Sequence, residues 1–121
     1  MDKLHVALPT HGYDILIGDD LSEMLPPFLA AARYSKALIV SDTNVGSLYL
    51  STLQRILATV GLRAEQVCVP AGETAKSLSS AEKIYTRAIE VGLDRRSVIF
   101  ALGGGVVGDL AGFIAATYMR G

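Results

Sequence analysis

Ser97-Val98-Ile99-Phe100-Ala101-Leu102 runs straight into Gly103-Gly104-Gly105-Val106-Val107-Gly108-Asp109-Leu110-Ala111-Gly112-Phe113. The first run is short, apolar and rich in β-formers, which is the pattern of a buried strand; the second opens on glycine and continues as an apolar helix. A strand that turns through glycine into a helix leaves free backbone N–H groups at the helix start, where an anion is favoured. The expectation is the floor of a nucleotide site.

The preceding segments alternate in the same way. Lys36 to Ser41 is a compact apolar run that predicts a buried strand. Leu50, Leu53, Leu57 and Val60 then recur at helical spacing, with Gly61 placed to end the helix. Ala64 to Val69 predicts a further strand, broken by Pro70-Ala71-Gly72. Ser77 can cap the next helix, whose expected buried stripe is Leu78, Ala81, Tyr85 and Ala88, and Gly92 can close it. Towards the amino end, Leu4 to Leu8 and Tyr13 to Ile17 flank Pro9-Thr10-His11-Gly12 and predict a hairpin. Asp19 or Asp20 can cap a short helix from Leu21, which Pro26-Pro27 is expected to interrupt.

Strand, helix, strand, helix, strand, glycine turn, helix predicts an α/β fold: a Rossmann-like, mostly parallel sheet with helices on both faces, preceded by a β-hairpin. Residues 1–121 are expected to form one such domain. The last helix, Leu110 to Met119, is apolar on almost every side, as a helix between two layers or domains would be. The sequence therefore reads as cut from something larger.

Composition narrows the partners. Among 121 residues, 11 basic and 12 acidic side chains give a net charge of -1, and half the residues are apolar. That balance carries no electrostatic footprint for nucleic acid or an anionic membrane. Cys68 is the single cysteine, which excludes an internal disulfide or a thiolate metal cluster and points to a reducing compartment. Neither a secretory leader nor a membrane span of sufficient length is visible, so a soluble cytoplasmic protein is expected.

Three strand ends carry candidate chemistry. Gly103, Gly105 and Gly108 satisfy G-x-G-x-x-G, which admits either a pyrophosphate or a purely structural turn. The acidic residue usually found some 20 positions further on would fall beyond Gly121. Asp109 can stabilise the helix macrodipole or accept a hydrogen bond from a ligand. In Pro70 to Ser77, Glu73 can accept ribose hydroxyls and Lys76 can meet a phosphate or ribose oxygen; an exposed ion pair between them is the plain alternative. Asp42-Thr43-Asn44 is explained equally by helix capping and by a ribose or adenine contact. All three clusters fall at the carboxyl ends of strands, where ligands gather in open α/β sheets. His5 and His11 have no identifiable catalytic partners, Cys68 alternates with core valines, and no His/Glu/Asp spacing suggests zinc.

Taken together, Ser41-Asp42-Thr43-Asn44-Val45, Pro70-Ala71-Gly72-Glu73-Thr74-Ala75-Lys76-Ser77-Leu78, Ala101 to Phe113 and the ending Ala115-Ala116-Thr117-Tyr118-Met119-Arg120-Gly121 closely resemble 3-dehydroquinate synthase. Order and spacing agree along the whole chain, which looks like the amino-terminal, NAD-binding part of that sugar phosphate cyclase. The resemblance implies a carbon-oxygen lyase of the shikimate pathway. Such an enzyme converts 3-deoxy-D-arabino-heptulosonate 7-phosphate to 3-dehydroquinate and phosphate, using catalytic NAD and zinc or cobalt, as a homodimer.

By the same resemblance, Asp42 and Asn44 match the adenosine segment, and Gly72, Glu73, Thr74 and Lys76 the ribose-contacting loop. Gly104, Gly105, Val106 and Gly108 match the pyrophosphate loop, Asp109 the nicotinamide half, and Arg120 a substrate-binding arginine. The family's metal ligands, one glutamate and two histidines, would lie beyond Gly121, so these residues alone are expected to be inactive. Another sugar phosphate cyclase, a metal-dependent polyol dehydrogenase, and a non-catalytic nucleotide-binding module are the competing readings.

Overall fold

A computed structural model describes residues 2–20 and 22–121. In chain order the elements are β1 (Asp2–Val6), β2 (Tyr13–Ile17), α1 (Leu25–Ala32), β3 (Ala37–Asp42), α2 (Thr43–Thr59), β4 (Ala64–Val69), α3 (Leu78–Glu90), β5 (Val98–Leu102) and α4 (Gly105–Thr117). Short 3-10 turns occupy Glu73–Ala75 and Tyr118–Arg120.

The hairpin forms as expected, but β1 stops at Val6 and leaves Ala7 and Leu8 in the connection. Its register pairs Leu4 with Ile15 and Val6 with Tyr13, while His5 faces Asp14. Asp14 holds His5 Nδ1 at 2.7 Å and Lys3 Nζ at 3.3 Å. The His5 bond, ahead of Lys3, keeps the Asp14 carboxyl below its ordinary value.

Helix α1 begins later than the sequence suggests. The prolines do not interrupt it; they sit in its first turn, where backbone N–H groups lack an intrahelical partner and the fixed proline φ suits the helix. Asp20 instead receives the Ser22 N–H at 2.9 Å, a local turn rather than a helix cap. The expected start at Leu21 lies outside the described residues. Arg33 ends the helix in a left-handed conformation, with φ of 56°.

The three-stranded sheet has the order β4-β3-β5 and is parallel throughout. β3 is central and buried on both faces, as a parallel strand between helical layers should be. Leu38 and Val40 face the cluster built with Val67, Val69, Ile84, Leu110 and Ile114, under α3 and α4. Ala37 and Ile39 face Leu29, Leu50, Leu53 and Leu57, under α1 and α2. Each fully buried aliphatic side chain contributes about 1.5–3 kcal/mol.

The α3 stripe differs from expectation at its start. Ala81, Ile84 and Ala88 are buried with Ser80, and Tyr85 packs against them, whereas Leu78 is 82% exposed. Leu78 opens the helix and borders the open groove beside Leu110 and Phe113 of α4 instead of entering the core. Gly61 and Gly92 both take positive φ just past their helices, the conformation that a chain reversal there requires. No helix of the described residues is long and apolar enough to cross a membrane.

Candidate functional site

The strand order creates the site. β3 and β5 are neighbours, yet α2 leaves β3 for one face of the sheet while α4 leaves β5 for the other. Helices diverging from adjacent parallel strands open a crevice beyond the strands' carboxyl ends, the usual position of a ligand in an open α/β sheet.

On the β5 side, the chain passes Gly103 and enters α4 at Gly105, with Gly104 as an N-cap that has no side-chain bond. The first intrahelical contact recorded there is Gly108 N–H to Gly104 O at 3.0 Å. The earlier amides of the helix have no such partner by helical geometry. A Cβ placed on Gly104, Gly105 or Gly108 would meet no heavy atom within 4 Å, whereas one on Gly103 would lie 2.8 Å from Val107 Cγ2. Gly103 is thus small because Val107 packs against it, and the next glycines leave open space before the helix start. Val106 is half-buried and Asp109 exposed on the first turns of α4.

On the β3 side, Asp42 caps α2. Its Oδ1 receives the N–H groups of Asn44 at 2.9 Å and Val45 at 2.7 Å. The capping reading of Asp42 is therefore realised, and Asn44 stands exposed in the first turn of α2.

The loop after β4 supplies the third cluster. Gly72 adopts φ of 102°, which L side chains rarely adopt, and Glu73, Thr74 and Lys76 follow it exposed to solvent. Lys76 does not pair with Glu73: its Nζ lies 2.6 Å from Asp109 Oδ2. The hydrogen bond and charge of Asp109, with a smaller contribution from Glu73, hold the Lys76 ammonium above its ordinary pKa. Next to this pair, Ser77, Leu78, Ala81, Leu110 and Phe113 line a mostly apolar groove of about 380 Å³ between α3 and α4.

Arg120 is not brought to these loops. It lies beyond the far end of α4, about 20 Å from the glycine turn at 1.5 Å per helical residue. There Tyr118 donates its hydroxyl to Leu93 O at 3.0 Å and anchors the helix exit.

Two residues without a role in the sequence reading stand inside the site's framework. Ser41, next to the carboxyl end of the apolar strand β3, is completely buried and donates to Leu102 O at 2.7 Å. Gly46 lets α2 come close above it: a Cβ there would lie 3.1 Å from Cys68 Sγ and 3.5 Å from Ser41 Oγ. A serine inside an aliphatic strand, with a glycine five residues later, is the sequence signal that marks this junction.

Residues 66–121 match the family model described as 3-dehydroquinate synthase N-terminal. The 3-dehydroquinate synthase of Geobacillus kaustophilus is 47% identical over 119 residues, covering 96% of this chain and 32% of that protein. Among solved structures, 2-deoxy-scyllo-inosose synthase complexed with carbaglucose-6-phosphate, NAD+ and Co2+ superposes with a TM-score of 0.88 at 22% identity. That match covers 99% of this chain and 33% of the other. The 2-epi-5-epi-valiolone synthase of Streptomyces hygroscopicus subsp. jinggangensis, with NAD+ and Zn2+ bound, gives 0.74 at 30% identity, covering 95% and 32%. The chain spans about a third of the length of the curated relatives it matches. Along nearly its whole length the chain is thus similar in sequence to curated 3-dehydroquinate synthases, and its carboxyl-terminal 56 residues are similar to that family's N-terminal model.

Proposed function

We propose that residues 1–121 are the NAD-binding domain of a 3-dehydroquinate synthase. The observation that carries this reading is the crevice itself: a glycine turn opening α4, the Asp42 cap and the Lys76–Asp109 pair at three neighbouring strand ends. The residues fit a dinucleotide, because the open space before Gly104 and Gly105 lets a diphosphate reach the free amides of α4.

In this assignment Gly104, Gly105 and Val106 present backbone N–H groups to the diphosphate, and Gly108 keeps the helix surface bare beside it. Glu73 accepts from ribose hydroxyls, Lys76 donates to ribose or phosphate oxygen, and Gly72 and Thr74 shape that loop. Asp42 and Asn44 border the adenosine half and Asp109 the nicotinamide half. NAD, when bound, supplies the hydride acceptance and return that the cyclase reaction requires. The chain's own part is to bind, orient and shield from water.

For the protein at the relatives' full length we propose conversion of 3-deoxy-D-arabino-heptulosonate 7-phosphate to 3-dehydroquinate and phosphate, with zinc or cobalt held outside these residues. No group of three His, Cys, Asp or Glu suited to a metal occurs among the described residues, and no step is assigned to a metal held by them. The domain alone is proposed to bind NAD without turnover. Arg120 is kept as a substrate contact, made away from the glycine turn. A homodimer and a reducing cytoplasmic setting, the latter supported by the free Cys68, complete the reading.

Phosphate release by the full-length protein from heptulosonate phosphate, dependent on NAD and without net NADH, is the expected result. Cyclisation of another sugar phosphate would move the assignment to a sister cyclase, and net NADH from glycerol would move it to a polyol dehydrogenase. Absence of NAD binding would end the reading altogether.

A further inference from the structure

Ser41 is the one fully buried polar side chain at the carboxyl edge of the sheet among the described residues. It shares the α2 side of the sheet with Ala37 and Ile39, where a valine or alanine would avoid the cost of burying a hydroxyl. That hydroxyl is spent on one acceptor, Leu102 O at 2.7 Å. Ser41 and Leu102 are the last registered pair between β3 and β5. The next residue on β3 is Asp42, and the next on β5 is Gly103. Gly46, on the first turns of α2, closes over the same point. One side chain thus ties together the three elements from which the Asp42 cap, α2 and the glycine turn emerge.

We propose that Ser41 is a positioning residue of the cofactor site, holding the Leu102 carbonyl so that β5 leaves the sheet with the glycine turn and the start of α4 aimed into the crevice. The proposal rests on the NAD-binding reading above. Ser41 touches no ligand; it acts through the Leu102–Gly103 peptide. Its effect must therefore fall on the diphosphate, which the turn receives, and spare the adenosine end, where Asp42 is fixed by its own bonds to Asn44 and Val45.

Calorimetric titration of the intact protein with NAD, ADP-ribose and adenosine tests this, using Ser41→Ala and Ser41→Thr. Loss of one buried hydrogen bond predicts about fivefold to tenfold weaker binding of NAD and ADP-ribose in Ser41→Ala, with adenosine unchanged and Ser41→Thr, which keeps the hydroxyl, binding both more tightly than Ser41→Ala. Unchanged ADP-ribose affinity in Ser41→Ala, or an equal loss for adenosine, overturns the proposal. Ser41→Cys, with a weaker donor of similar size, gives an intermediate loss and serves where the alanine variant does not fold. Should the unsubstituted protein bind neither NAD nor ADP-ribose, the cofactor reading fails by itself. The amide resonances of Gly103, Gly104 and Gly105 then decide the local part: unmoved in Ser41→Ala, they overturn it; displaced there and restored in Ser41→Thr, they support it.

Discussion

Lys76 Nζ stands 2.6 Å from Asp109 Oδ2, joining the loop after β4 to the first turns of α4, two segments whose parent strands are separated by β3. Both side chains are about half exposed, so the pair adds little to stability through its charges; what it fixes is the distance between two walls of the crevice. Asp109 raises the Lys76 pKa above 10.5. The sign follows: the pair's contribution is complete below the unfolded value and disappears as pH climbs through the raised one. In Asp109→Asn, the Lys76 Cε resonance should titrate nearer pH 10.5 than in the parent, the melting temperature should barely change, and NAD should bind about tenfold more weakly for the loss of a charge-assisted contact. Equal NAD affinity in both proteins would reduce the pair to surface decoration.

The glycines separate into two kinds. Gly103→Ala forces a Cβ to within 2.8 Å of the buried Val107, so a cost of about 1–3 kcal/mol is expected in denaturant unfolding. Gly104→Ala and Gly105→Ala meet no protein atom. They should unfold near the parent midpoint and fail selectively in NAD titration, because the added methyl occupies the ligand's approach. Destabilisation by Gly105→Ala would show that the turn is built for packing alone.

Asp42 has two proposed duties, and Ser can perform only one of them. Asp42→Ala removes the cap of α2 and should cost about 1 kcal/mol. Asp42→Ser restores a capping oxygen without the carboxylate's reach or charge. Chemical denaturation should find Asp42→Ser close to the parent, while calorimetry finds NAD still weakened. Recovery of both together would leave Asp42 a cap and nothing more.

The α3 helix offers a packing contrast. Ile84 is fully buried and Leu78 is 82% exposed. Ile84→Ala should lower stability by about 2–5 kcal/mol, and Leu78→Ser should stay within about 0.5 kcal/mol of the parent, both measured by urea unfolding.

What could be read from sequence was what depends on neighbours along the chain. The strand runs, the caps at Asp42 and Ser77, and the glycines at 61, 72, 92 and 103–105 all act locally, and apart from the shifted ends of β1 they occur where their chemistry placed them. Pro26-Pro27 misled because the same residue type that breaks a helix interior is favoured in a first turn. Lys76 found Asp109 rather than its near neighbour Glu73 because α3 and α4 pack on the same face of the sheet, which sets the start of α4 against the loop that opens α3. Leu78 continues the helical period of Ala81 but borders an open groove, and periodicity carries no information about how far along a stripe the covering layer extends. Ser41 was hidden for a related reason: its acceptor lies 61 residues away.

That separation also orders the assembly of the molecule. β3 and β4 are joined by a single helix and can pair as soon as that stretch of chain is made, whereas β5 must cross to the far side of β3 and close a much longer loop before its contacts repay the lost chain entropy. The crevice has no existence until that step. During synthesis, the proposed NAD binding should therefore arise late and abruptly; pulsed hydrogen exchange should show β3 and β4 amides protected before those of β5 and α4.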